Sequence, residues 1–293
     1  MTDNSEEAVP QEQSYEGYVI EAENAAEMAR LMLQDRLLTQ IMGGTLPEQE
    51  DLSGITRVLD VACGPGGWLL DLAAHYSHMQ GVGIDISELM IEYANGQAKR
   101  ESLSNVQFHV MDATKPLPFP DNTFDLINGR ILTGFLTTRQ WSTLLQECHR
   151  ITRPGGILRL TEAEWGFTNS VTFDKLCSFI SASLYRADHT FSPRGRTVGN
   201  ANVLRLLLRR AGYEGIKYRS HAVDYSAETE LHGSNCQNML VVFKLLQPFH
   251  IKMQLATQEE LDYLYQQMEE DMQQEDFCAI DYFLTVWGYK SMP

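Results

Sequence analysis

Apolar and polar positions change period several times along the chain, and each change marks an element. Residues 21–42 (EAENAAEMARLMLQDRLLTQIM) are strong helix formers with alanine and methionine at helical spacings. Gly43-Gly44 and then Pro47 supply a stop, so a helix is predicted over 21–42. From residue 55 the pattern shifts to short β-branched runs. ITRVLDVA (55–62), GVGIDI (81–86), NVQFHVMDA (105–113), FDLINGR (124–130) and ILRLTEA (157–163) read as strands. Helical patterns lie between them: one follows CGPGG (63–67), one is N-capped by Ser87, and one places Trp141, Leu144, Leu145, Cys148 and Ile151 on a single face. Arg153-Pro154-Gly155-Gly156 reads as a hard break. Strands alternating with helices imply a parallel sheet covered on both faces.

After residue 163 the pattern loosens. Helices are predicted over 169–188 and 200–211, a strand over 215–226, a helix from 235 up to Pro248, a helix over 259–274 and a strand over 276–290.

Charge narrows the partners. The 293 residues hold 23 Lys+Arg against 39 Asp+Glu, a formal charge of −16. Nucleic-acid affinity rests on cationic contacts to phosphates, so no nucleic-acid partner is expected. The five cysteines (Cys63, Cys148, Cys177, Cys236 and Cys278) include no CxxC pair, which suggests neither a zinc site nor a disulfide framework and points to a reducing cytoplasm. No two histidines have a metal-ligand spacing, so no metal is expected. No apolar run approaches the roughly 20 residues of a membrane span. Residues 1–16 read as an acidic tail without the features of a secretory signal.

The Gly-rich turn at 63–67 follows a strand and opens a helix, so a ligand is expected there, at the carboxyl end of the sheet. The phosphate-loop pattern is absent. Gly64 and Gly66 fit the first half of a dinucleotide fingerprint, but Leu69 takes the place of its third glycine. Asp60, just upstream, would face a pyrophosphate with its own negative charge. It suits a ligand bearing an ammonium group.

VLDVACGPGG (58–67) resembles the first motif of class I S-adenosylmethionine-dependent methyltransferases, apart from Ala62, where many members have glycine. Asp85, followed by Ile86, resembles the acidic end of that family's second strand, which holds the ribose hydroxyls. Met111-Asp112-Ala113 resembles the motif that reads the adenine amino group. LPFPDNTFDLI (117–127) and RPGGILRL (153–160) resemble the segments around the fourth and fifth strands, as in the small-molecule branch that includes quinone-biosynthesis enzymes. The resemblance covers about residues 57–163 in family order. It implies S-adenosyl-L-methionine as cofactor, S-adenosyl-L-homocysteine as product, and cofactor contacts from Asp60, Gly64, Gly66, Asp85, Ile86, Met111, Asp112, Ala113 and Asn128. It also implies a Rossmann-like, seven-stranded, mostly parallel α/β sheet with helices on both faces. The core would be 57–226 with 276–293, under an N-terminal helical cover (1–56) and a helical insertion (227–275) before the last strand. Each aspartate alone fits an ordinary turn or helix cap equally well; the three in register with the glycine turn favour a ligand.

The reaction leaves less trace. Methyl transfer from a sulfonium is an in-line displacement, so the protein mainly supplies alignment and exclusion of water. Arg130, Glu164 and His189 are candidates for catalysis. Tyr15, Tyr18, Arg130, Glu162 and Trp165 are candidates to line a small-molecule acceptor site. Transfer to O, N or C of a small metabolite is the leading expectation. A cofactor-binding sensor without transferase activity is the alternative, and a protein or RNA methyltransferase a more distant one. Acceptor atom and oligomeric state are not encoded in any motif.

Overall fold

The computed structural model describes residues 17–292, so Tyr15 and the acidic tail lie outside the described residues. Seven strands form one sheet: β1 (Arg57–Val61), β2 (Gln80–Asp85), β3 (Val106–Val110), β4 (Phe124–Arg130), β5 (Thr152–Thr168), β6 (Tyr213–Asp224) and β7 (Ala279–Lys290). Their order is β3-β2-β1-β4-β5-β7-β6, and β7 is inserted antiparallel to both its neighbours. The expected Rossmann-like α/β fold is what the chain adopts.

Strand alternation divides the core between the two faces. Val58 of β1 and Leu126 of β4 pack beneath α2 (Gly67–His75) and α3 (Glu88–Arg100). Their neighbours Leu59, Val61 and Ile127 pack on the opposite face against α4 (Thr138–Ile151) and α6 (Leu204–Arg210). The α4 stripe read from the sequence is the one that is buried. Strand order reverses between β1 and β4, and this opens a crevice at their carboxyl ends.

A third apolar cluster joins the carboxyl ends of β5 and β6, and the start of β7, to four helices: α1 (Ala25–Met42), α5 (Val171–Arg186), α7 (His232–Lys252) and α8 (Gln258–Asp271). Phe173, Phe243, Leu261 and Met268 are almost fully buried there. Each such side chain contributes about 1.5–3 kcal/mol. Helix α5, read from the sequence as part of the core, packs in the same cluster as α7 and α8.

Most boundaries shift by a few residues, and three differences have a clear local reason. Helix α1 begins at Ala25, because Asn24 accepts from the backbone N–H groups of Ala26 and Glu27 and caps it. Strand β5 runs through the Arg-Pro-Gly-Gly segment; its register with β4 slips between Phe124 and Leu126, a bulge that absorbs the proline and glycines. Helix α7 passes through Pro248 to Lys252, since Leu246, Phe249 and His250 are buried and hold the last turns in place.

Candidate active site

The crevice holds a cavity of about 340 Å³. Asp60 at the end of β1, Asp85 at the end of β2 and Asp112 just after β3 all line it. So do Gly64, Ile86, Met111 and Ala113. The structure thus brings most of the sequence-derived cofactor set around one space.

Each carboxylate is fixed differently. Asp85 ties two segments together: one oxygen accepts from the Gly64 N–H at 2.8 Å and the other from the Ser87 N–H at 3.0 Å. Burial pushes its carboxyl above the ordinary range, although these bonds oppose the shift. Asp112 accepts from the N–H and hydroxyl of Thr114, a turn cap that still leaves it on the cavity wall. Turn capping and lining are therefore compatible. Asp60 sits deepest, 3% exposed, and accepts from the Asn128 side chain at 2.7 Å. The parallel register sets Asp60 directly opposite Asn128. Burial pushes the Asp60 carboxyl up to about 7, with Arg130 and Asn128 pulling it down.

Asn128 stands behind this wall. Its carbonyl oxygen accepts from Arg159 at 2.7 Å, and Arg159 donates in turn to Glu48 at 2.6 Å. Both side chains are buried; Arg159 falls within the RPGGILRL run, but nothing in that run points to Glu48. The turn itself is held by positive backbone angles: Gly64 (φ 54°), Gly66 (φ 79°) and also Ala62 (φ 54°). The alanine stands where glycine is free of strain, at a cost of roughly 1–2 kcal/mol.

Helix α1 closes the far wall. Its Asp35 forms an ion pair with Arg130, and both line the cavity. Tyr18, also on the wall, donates to Glu27 at 2.7 Å, and Glu27 receives two bonds from Arg30. Beyond Arg130, Ile131 is left-handed (φ 56°), a strained state for a β-branched residue. Glu162 secures this turn: it accepts from the Leu132 N–H and the Thr133 hydroxyl, both at 2.6 Å. It does so from within the core, off the cavity wall. Burial pushes its carboxyl up to about 7 against those bonds.

Glu164 and His189 are drawn elsewhere. Glu164 accepts from the Val198 and Gly199 N–H groups at 2.7 and 2.9 Å and so anchors a loop. His189 is fully buried within that loop region, and its carbonyl accepts from Asn200. Neither lines the cavity. Trp165 lines a second, smaller cavity next to the first. No cluster of metal ligands occurs among the described residues. Among the same residues, no helix is long and apolar enough to cross a membrane.

Comparison with known proteins agrees with this geometry over the motif-bearing segment. Residues 58–156 match the family model described as a methyltransferase domain. The chain carries a class I S-adenosylmethionine-dependent methyltransferase domain. The methyltransferase is 27% identical over 190 residues to a demethylmenaquinone methyltransferase of Lactococcus lactis, covering 60% of this chain and 73% of that one. It is 38% identical over 102 residues to the enzyme of the same name from Geobacillus kaustophilus, a match spanning 34% of this chain and only 42% of the relative. Among solved structures it resembles a phosphoethanolamine N-methyltransferase 2 of Haemonchus contortus, with a TM-score of 0.52 and 18% identity over 86% of this methyltransferase and 52% of that chain. At that identity the likeness is one of fold.

The cleft fits the family's cofactor on its own chemistry. S-adenosylmethionine offers an ammonium, a ribose diol and an adenine amine, all of which seek acceptors. The cavity sets three carboxylates among the apolar walls of Ile86, Met111 and Ala113.

Proposed function

We propose that this chain transfers the methyl group of S-adenosyl-L-methionine to O, N or C of a small, partly apolar or aromatic acceptor. The observation that carries the reading is the convergence of Asp60, Asp85 and Asp112 on one cavity at the strand-order reversal. In this reading Asp60 holds the ammonium, Asp85 the ribose diol, and Asp112 with Met111 and Ala113 the adenine. Ile86 covers the ring. Gly64 and Gly66 let the backbone approach. The names of the curated relatives support a quinone-like acceptor, and the net charge of −16 favours an uncharged metabolite over a polyanion.

The bound cofactor supplies an activated methyl group, and the protein contributes alignment and exclusion of water. Helix α1, Tyr18 and the Asp35–Arg130 pair provide the exclusion by closing the cleft on the side away from the sheet. Glu164 is committed to the loop it holds, and His189 is fully buried off the cavity wall, so the acceptor's own acidity, rather than either of these groups, sets the need for a base.

Two measurements test the cofactor half. Calorimetry is expected to show S-adenosylhomocysteine binding, weakened by about 1–3 kcal/mol in Asp85→Ala, the scale of lost charged hydrogen bonds. The unmutated protein failing to bind it would sink the assignment. Binding is also expected to release protons. The ligand's ammonium favours ionised Asp60, whose carboxyl stands at about 7 in the free protein. Affinity should therefore rise with pH between about 5.5 and 7, and Asp60→Asn should abolish that rise. Titration in buffers of different ionisation enthalpy counts the protons. A screen with labelled cofactor against phenols, quinols and amines then identifies the acceptor class.

A further inference from the structure

S-adenosylmethionine and S-adenosylhomocysteine carry an α-carboxylate beside the ammonium, and Asp60, Asp85 and Asp112 repel it. It calls for a cation or clustered N–H donors close to Asp60. Three cationic side chains line the cavity: Arg30, Lys115 and Arg130. Arg30 is fully engaged, donating twice to Glu27 and once each to Gln34 and Asn238. Lys115 is exposed and follows Asp112, at the end assigned to adenine. The first turn of α2 offers N–H groups. Asp35 lies over it, so close that a Cβ added to Gly67 would collide with its Oδ2.

Arg130 differs. Its Nη2 donates to Asp35, and that is its only hydrogen bond among the described residues, so Nε and Nη1 keep donors to offer. The two side chains are 14% and 12% exposed, a sheltered pair on the cavity wall. Register sets Arg130 beside Asp60. Asn128 stands opposite Asp60, and Arg130 follows two residues later on the same face of β4, about 7 Å further along. Its charge reaches Asp60: Arg130 is foremost among the groups that oppose the upward shift of that carboxyl. The wall therefore alternates in sign from Asp60 to Arg130 to Asp35. An α-amino acid zwitterion laid along it continues the alternation, with its ammonium on Asp60 and its carboxylate on Arg130.

We propose that Arg130 is the carboxylate receptor of the cleft: its Nε and Nη1 donors take the α-carboxylate of the cofactor, while Asp35 holds the guanidinium in place. This inference rests on the reading of the cleft as the cofactor site. Arg130 then serves the cofactor rather than the acceptor. The ligand class is a nucleoside bearing a complete α-amino acid zwitterion, and one that keeps the amine but lacks the carboxylate is selected against. Asp35 comes from α1 and Arg130 from β4, so no motif in the sequence joins them.

The test compares two ligands that differ only in that group: S-adenosylhomocysteine and its decarboxylated form, which keeps the amine. Both are titrated by calorimetry into the full chain at about pH 8, above the Asp60 value of about 7. The unmutated protein is expected to prefer S-adenosylhomocysteine by about tenfold or more, the scale of a charged hydrogen bond. Arg130→Gln is expected to erase that preference. Losing the cation also favours protonated Asp60, but this weakens both ligands alike and leaves their ratio unchanged. A purely structural arginine would likewise lower both affinities and keep the ratio. Arg130→Gln leaves Asp35 without its cation, so the double variant Arg130→Gln with Asp35→Asn is measured beside it, with the same loss of preference expected. Equal affinity of the unmutated protein for the two ligands, or a preference that survives in the variants, would overturn the assignment. So would variants that melt cooperatively and bind neither ligand, because the decarboxylated form makes no use of Arg130. The unmutated protein failing to bind S-adenosylhomocysteine would instead overturn the cofactor reading.

Discussion

Arg159→Met is expected to lower the unfolding free energy by about 3–5 kcal/mol, read from urea melts of the mutant beside the parent. The Arg159 and Glu48 side chains are 1% and 2% exposed, so the guanidinium is what makes this buried carboxylate tolerable. Methionine fills much of the space but leaves Glu48 without its cation and the Asn128 carbonyl without its donor. Burial pulls the Arg159 pKa down, and Glu48 opposes that shift. The double replacement Arg159→Met with Glu48→Met is expected to recover most of the loss, since two apolar groups need no partner. A single mutant within 1 kcal/mol of the parent would show that the pair contributes little. A functional effect should follow. Asn128 is held between Arg159 and Asp60, so loosening it frees the carboxylate assigned to the cofactor's ammonium.

Gly66→Ala is expected to cost about 2–5 kcal/mol, from left-handed strain of roughly 1–2 kcal/mol together with overpacking of about 1–3 kcal/mol. Gly66 has φ 79°, and an added Cβ would meet the Phe108 ring at 2.6 Å and the Ala94 methyl at 2.9 Å. Gly66 precedes the first turn of α2, so strain there also moves the loop that opens the cleft. The two contributions separate on a Phe108→Leu background. The overpacking share should shrink there, while the backbone share persists. A loss below 1 kcal/mol in Gly66→Ala would show that the turn relaxes freely.

The cofactor half was legible because its signals are local. A strand, an aspartate, a glycine turn and a helix follow one another within VLDVACGPGG, and the strand-end aspartates at 85 and 112 follow their own strands. These residues meet as soon as the sheet orders its strands. The groups that sequence reasoning placed wrongly or missed depend on distant pairing. Glu164 lies in the same strand as Glu162, but the loop at 198–199 supplies two N–H groups that claim it. His189 looks exposed in a polar loop and is fully buried, because Asn200 folds the loop over its carbonyl. Arg159 alternates with apolar neighbours in β5 and gives no sign of Glu48, 111 residues earlier. Pro248 and the Arg-Pro-Gly-Gly run are strong local breakers, and buried neighbours and a bulge overrode them.

The network of Glu27, Arg30 and Asn238 fastens α1, from one end of the chain, to α7, from near the other. Both helices lie outside the segment that carries the family motifs. A change in either helix therefore bears on the other, while the cofactor half stays as it is. Grafting a foreign α7 alone would remove the Asn238 contact to Arg30. Chimeras that swap the two helices as a pair are therefore expected to be more stable than chimeras that swap either one.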